Sequence, residues 1–161
     1  MTWTVRPDDE PCCGEAPGLV RCEEDIARLI HSKIDDPDVL AFTRKDLTGH
    51  GIPNPSNVCG QADGCSVDRV VDLDDDALRA RSQQQAAKRE GRTAKGAWIA
   101  NVAALRTIKH PAAPEGAVRV YDDPMPDNDR HAVLRVSAAI PRTDFNEMRR
   151  AIIAAFDRRV A

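Results

Sequence analysis

Two stretches of alternating side chains, separated by a turn-rich segment, constrain this chain more than any other feature. Ala117–Tyr121 carries Val118 and Val120, and His131–Ser137 carries Ala132, Leu134 and Val136. The segment 122–130 between them is built of Asp, Asn and Pro, the residues that turns prefer. Period-two alternation on both sides of such a segment predicts an antiparallel hairpin. An isolated hairpin is barely stable in water, so the rest of the chain must supply more strands and a cover.

Three segments read as helices. Ile26, Leu29, Ile30 and Ile34 recur at helical spacing behind the acids Glu23, Glu24 and Asp25. This predicts a helix over Glu23–Ile34, stopped by Asp35-Asp36-Pro37-Asp38. Asp74–Glu90, rich in Ala, Gln, Arg and Lys, predicts a second helix ended by Gly91. Asp144–Arg159 predicts a third, with Phe145, Met148, Ile152 and Phe156 as its buried stripe. Asp144 and Glu147 have the spacing of a capping box, and Arg158 and Arg159 fall at the expected negative end of the dipole. Ser66–Val71 reads as a strand leaving a long Gly/Pro loop at 49–64, and Gly96–Ile108 as a strand running into a short turn. Val39–Leu47 reads as a short strand or a turn-rich segment. The expected fold is α+β: a small, mainly antiparallel sheet packed with about three helices. It forms a single domain over 1–161, with an irregular leader over about 1–18.

Composition narrows the class. Aromatic residues make up only 4% of the 161 residues, so the core is built mainly from Val, Leu, Ile and Ala, with modest expected stability. A net charge of −3 argues against a surface built wholly for nucleic acid. The residues after Met1 turn acidic at once and no later run is long and apolar enough for a membrane, which predicts a cytoplasmic protein without membrane contact. The five cysteines, an odd number, read as thiols or metal ligands rather than a disulfide framework.

Three groups of residues carry possible chemistry. His50, Cys59, Cys65 and Cys22 have the number of ligands that zinc requires, but five residues separate Cys59 from Cys65 where a zinc knuckle has two to four. The expectation is no metal and no cofactor, with Cys22 and Cys65 as small buried hydrophobes. Asp122, Asp123, Asp127 and Asp129 lie close in sequence to His131. Carboxylates with a histidine can hold a divalent ion or exchange protons, but the residue types favour a solvated turn in which Asp122 and Asp123 are exposed. Arg79, Arg81, Lys88, Arg89, Arg92 and Lys95, followed by Trp98, have the makings of a phosphate grip beside a stacking ring. The competing reading is that the later members of this set simply offset a helix dipole. No Gly-x-Ser-x-Gly elbow, phosphate-binding loop, His-Glu-x-x-His or Cys-x-x-Cys is present.

Two segments resemble a loosely defined group of small uncharacterised bacterial proteins. They are Gly64-Cys65-Ser66-Val67-Asp68-Arg69, with Ala41-Phe42 and Asp46-Leu47 upstream, and Asp123-Pro124-Met125-Pro126-Asp127-Asn128-Asp129-Arg130-His131-Ala132. The latter is similar to that group's Asp-Pro-x-Pro-x-Asn-x-x-His-Ala stretch. The resemblance brings no activity with it. It implies that Ser66, Arg69, Asn128 and His131 lie near one another.

The leading functional expectation is an accessory or binding module that acts through a protein partner. It rests on the lack of an assembled catalytic set, balanced charge and few aromatics. The alternative is an enzyme, or a nucleotide- or phosphate-binding protein, with a polar pocket of Arg21, Ser66, Arg69, Asn128 and His131. A third reading, not favoured, is nucleic-acid contact through the basic stretch 79–95. The oligomeric state is left open.

Overall fold

The computed structural model describes residues 20–32, 42, 47, 64–114, 116–137 and 139–161. They form a six-stranded antiparallel sheet. In chain order the elements are β1 (Asp25–Ser32), β2 (Cys65–Arg69), α1 (Asp75–Ala87), β3 (Thr93–Asn101), α2 (Val102–Arg106), β4 (Val118–Asp122), β5 (His131–Val136), a 3-10 turn (Arg142–Asp144), α3 (Phe145–Ala155) and β6 (Arg158–Val160). The strand order across the sheet is β4-β5-β2-β1-β3-β6. The fold is thus α+β. The leader 1–18, most of Val39–Leu47 and nearly all of the loop 49–64 lie outside the described residues.

The hairpin forms where the alternation places it. Val118 pairs with Val136, Val120 with Leu134 and Asp122 with Ala132. Its tip closes tightly at Pro126-Asp127, where Met125 and Asn128 each donate a backbone N–H to the other's carbonyl, at 2.9 and 3.0 Å.

The helix expected over Glu23–Ile34 is instead β1, a central strand between β2 and β3. Ile26 and Ile30 enter the main core on one face, and Ala27 and Leu29 enter a second core on the other. A strand with apolar residues on both faces loses its alternation, and its apolar run then mimics the i, i+3, i+4 spacing of a helix.

The helices cover the two faces. α1 is capped by Asp74, whose side chain accepts from the Ala77 N–H at 2.8 Å. Only Leu78, Ser82 and Ala86 of α1 are buried. This narrow i, i+4, i+8 stripe of mostly small residues lets the helix sit close on β1 and β3. Ser82 Oγ accepts from the Gly96 N–H at 3.1 Å and donates to the Ile30 carbonyl at 3.3 Å, pinning α1 to both strands. Gly96 has a φ of +78°, and a Cβ there would run into the Val160 carbonyl of β6.

The opposite face carries the main core, closed by α2 and α3. Phe145, Met148, Ile152 and Phe156 point inward as the spacing predicts, with the Phe156 ring 5.5 Å from that of Phe42. The ends of α3 differ from expectation. Asp144 makes no side-chain cap. Its carboxylate instead accepts from His110 Nε2 at 2.9 Å and from Thr143 Oγ1 at 3.2 Å. The helix stops at Ala155, and Arg158 and Arg159 belong to β6, which pairs with Ala97–Ile99 of β3. Arg159 lies 5.8 Å over the Trp98 ring, and Arg158 pairs with Asp75 at 3.1 Å. Strand pairing with β3 outweighs the dipole gain that a longer helix would give these arginines.

Candidate functional site

The site begins with a split in the sheet. β1 and β2 share only two Cα partner pairs, Ile26 with Arg69 and Ala27 with Asp68, whereas β1 runs along β3 nearly from end to end. Past that short ladder, the Ser66 carbonyl takes a hydrogen bond from Arg28 Nη1 at 2.8 Å. The C-terminal half of α1 crosses the split and the hairpin tip reaches over from β4–β5. Together they enclose a groove of about 320 Å³. Arg28, Ser66, Gln85, Lys88, Arg89 and His131 line it, with Met125, Asp127 and Asn128 from the tip.

One wall is a closed polar network. Asp68 is buried, and its Oδ2 accepts from Arg81 Nε and Nη2 at 2.9 and 2.7 Å. Its Oδ1 accepts from Asn128 Nδ2 at 2.9 Å, while Asn128 Oδ1 accepts from Arg81 Nη2 at 2.9 Å. Three side chains from β2, α1 and the tip thus satisfy one another's hydrogen-bonding groups.

His131 sits beside this network, paired with Asp68 across the β2–β5 ladder. Its Nδ1 donates to the Asp123 carbonyl oxygen at 2.7 Å and lies 3.3 Å from Asp123 Oδ2. Burial alone would push the imidazole pKa down. Hydrogen bonds to Asp123 and the charges of Asp123 and Asp68 outweigh it, and the pKa is raised. Asp122 and Asp123, expected as exposed turn residues, are 1% and 0% exposed. Each carboxylate faces a basic partner, Asp122 with Arg69 and Asp123 with His131.

The five residues of the expected polar pocket do not share one cavity. Ser66, Asn128 and His131 line the groove, and the sheet separates Arg69 from them. Arg69 neighbours Asp68 in β2, so its side chain leaves by the opposite face. There it is buried between Glu24 and Asp122, with Nε 2.8 Å from Glu24 Oε2 and Nη1 3.2 Å from Asp122 Oδ1. Arg21 is exposed ahead of β1 and does not line the groove. The arginine that does reach Ser66 is Arg28, which helical spacing in the sequence conceals. No hydrogen bond joins Ser66 to His131 among the described residues. They sit on diagonal ladder positions, roughly 7–8 Å apart by ordinary sheet geometry.

The basic stretch is divided as well. Arg81 is committed to Asp68, while Lys88 and Arg89 border the groove. Arg79 pairs with Asp76 at 2.6 Å and, with Lys95, lines a separate cavity near β6. Arg92 lines neither cavity. Trp98 packs against the main core, on the face away from α1. The helix cations and this ring thus lie on different faces of the sheet.

Of the metal set, His50 and Cys59 lie outside the described residues. Cys65 is buried in the core, but Cys22 is exposed, and its sulfur accepts from Arg106 Nη1 at 3.3 Å. Among the described residues, no group of three or more His, Cys, Asp or Glu is placed to hold a metal. Among the same residues, no helix is long and apolar enough to cross a membrane. Compared with family models, curated proteins and solved structures, the chain finds no match in any of the three.

Proposed function

We propose that the chain is a small cytoplasmic accessory module that acts by docking a protein partner, and that the groove beside α1 is its contact surface. The observation that carries this reading is an imbalance of charge. Asp68 is matched by Arg81, and Asp127 by Lys88 at 3.4 Å. Arg28 and Arg89 line the same groove and have no acidic partner among the described residues. Part of the field of Arg89 is taken up by the negative end of α1, but Arg28 lies on a strand, outside that pole. The groove therefore attracts an acidic segment, and it is open enough to admit one from outside. Binding rather than reaction is favoured because no hydrogen bond joins His131 to a nucleophile among the described residues, and Asp68 is held by Arg81 and Asn128.

The test is photo-crosslinking in the native host, with the crosslinker at the exposed position Gln84 beside the groove. One protein should be recovered reproducibly with the otherwise unaltered chain and lost when Arg28→Glu and Arg89→Glu are combined. Recovery of no protein, or recovery indifferent to the charge reversal, would sink the reading.

A further inference from the structure

The groove holds more hydrogen-bond donors than a carboxylate can use. Its inner-wall acceptors are consumed: Asp68 by Arg81 and Asn128, and Asn128 Oδ1 by Arg81 and the Arg130 N–H, while the exposed Asp127 pairs with Lys88. Its donors are not. Arg89, the Ser66 hydroxyl and the Gln85 amide have no side-chain hydrogen bond among the described residues, although all three line the groove. His131 uses Nδ1 on Asp123, and its Nε2, without a partner in the same set, becomes a donor when the ring is protonated. Arg28 spends one N–H on the Ser66 carbonyl and keeps the rest of its five-donor fork. A carboxylate offers two oxygens and one charge. A phosphomonoester offers three acceptor oxygens and close to two charges at neutral pH. Two guanidinium groups without acids, a hydroxyl, an amide and a ring nitrogen around one cavity match the phosphomonoester better than the carboxylate.

We infer that the groove is a recognition site for a phosphomonoester carried on a side chain of the partner. The inference rests on the partner-docking reading above and gives that partner a chemistry. It assigns Arg28 and Arg89 to the phosphate charge, and Ser66, Gln85 and His131 Nε2 to its remaining oxygen contacts. The exposed α1 end and hairpin tip are left to contact flanking residues of the segment. Lys88, held to Asp127, closes one side.

The test uses the full chain and a degenerate peptide library with a fixed central phosphoserine. Twin libraries carry Glu or Ser at that position, and inorganic phosphate and a nucleoside monophosphate serve as competitors. The phosphoserine library should bind at least about ten-fold more tightly than the Glu library, as one or two additional charge-assisted hydrogen bonds would give. Arg89→Ala should remove most of that preference. Arg89 is exposed and makes no side-chain hydrogen bond among the described residues, so its loss leaves the fold intact. Equal binding of the Glu and phosphoserine libraries would overturn the phosphate assignment while the crosslinking result still supports an acidic partner. A nucleoside monophosphate binding more tightly than the phosphoserine library would move the site to a small-molecule ligand and overturn it. A preference undiminished by Arg89→Ala would place the phosphate elsewhere and overturn it as well.

Discussion

The Arg69 guanidinium grips the Glu24 carboxylate with two bonds, Nη2 to Oε1 at 2.6 Å and Nε to Oε2 at 2.8 Å. A third bond joins Nη1 to Asp122 Oδ1 at 3.2 Å. All three side chains are nearly or wholly out of solvent. The cluster ties the approach to β1, the end of β2 and the end of β4 into one knot.

Removing Arg69 therefore deprives two buried carboxylates of the guanidinium they share. Arg69→Ala should cost about 3–5 kcal/mol, the usual penalty for breaking a buried ion pair from one side. Urea unfolding at neutral pH measures it. A loss under about 1 kcal/mol would mean that water reaches the carboxylates and that the knot contributes little.

His131 should make stability depend on pH. Its folded pKa is raised, so the charged ring is held more tightly in the folded state than in the unfolded chain. That stabilisation is fully present below the unfolded value of about 6.5 and is lost as pH rises through the higher folded value. The unfolding midpoint should fall as pH is raised from about 6 toward 9, and His131→Gln should flatten the slope over that range. An unchanged slope in the variant would show that another group is responsible.

Ser82→Ala should cost about 1–3 kcal/mol, because the Gly96 N–H then loses its acceptor inside a closed interface. Amide exchange at Gly96 should rise in parallel. Exchange as slow as in the unaltered chain would show that another acceptor takes over.

Gly96→Ala should be worse than Ser82→Ala, since the methyl group and the φ of +78° both oppose it. The expected first effect is separation of β6 from β3, read as loss of exchange protection at Ala97–Ile99 ahead of the hairpin. Simultaneous loss in both regions would show that β6 is not a separable unit.

The sequence made the hairpin legible because its inward face alternates cleanly, and α1 because Asp74 and Gly91 bracket it. It hid β1 because apolar residues on both faces erase period two. It also hid β6, whose three residues continue the basic end of a helical pattern. At the site, Ser66, Asn128 and His131 were legible as polar residues at strand ends. Arg69 was misplaced because neighbouring strand residues point to opposite faces, and only the register shows which face is which. Arg28 was missed, although an arginine inside an otherwise apolar run signals a position at the border of a core. The burial of Asp122 had no local signal, since Arg69 comes from β2 and meets it only after folding, whereas the partner of Asp123, His131, lies only eight residues on.

The place of β1 in the strand order has a consequence for synthesis. Both of its neighbours, β2 and β3, follow it in the chain, and β3 ends only at Asn101. On the ribosome the apolar run of Ile26, Leu29 and Ile30 therefore emerges long before the edges that will pair with it. At about 5–20 residues per second, the wait for β3 is several seconds, long enough for exposed strand edges to find other chains. The hairpin β4–β5 needs no such wait, because its halves emerge nearly together. Among the described elements, the strand that must be shielded thus comes first, well ahead of the hairpin.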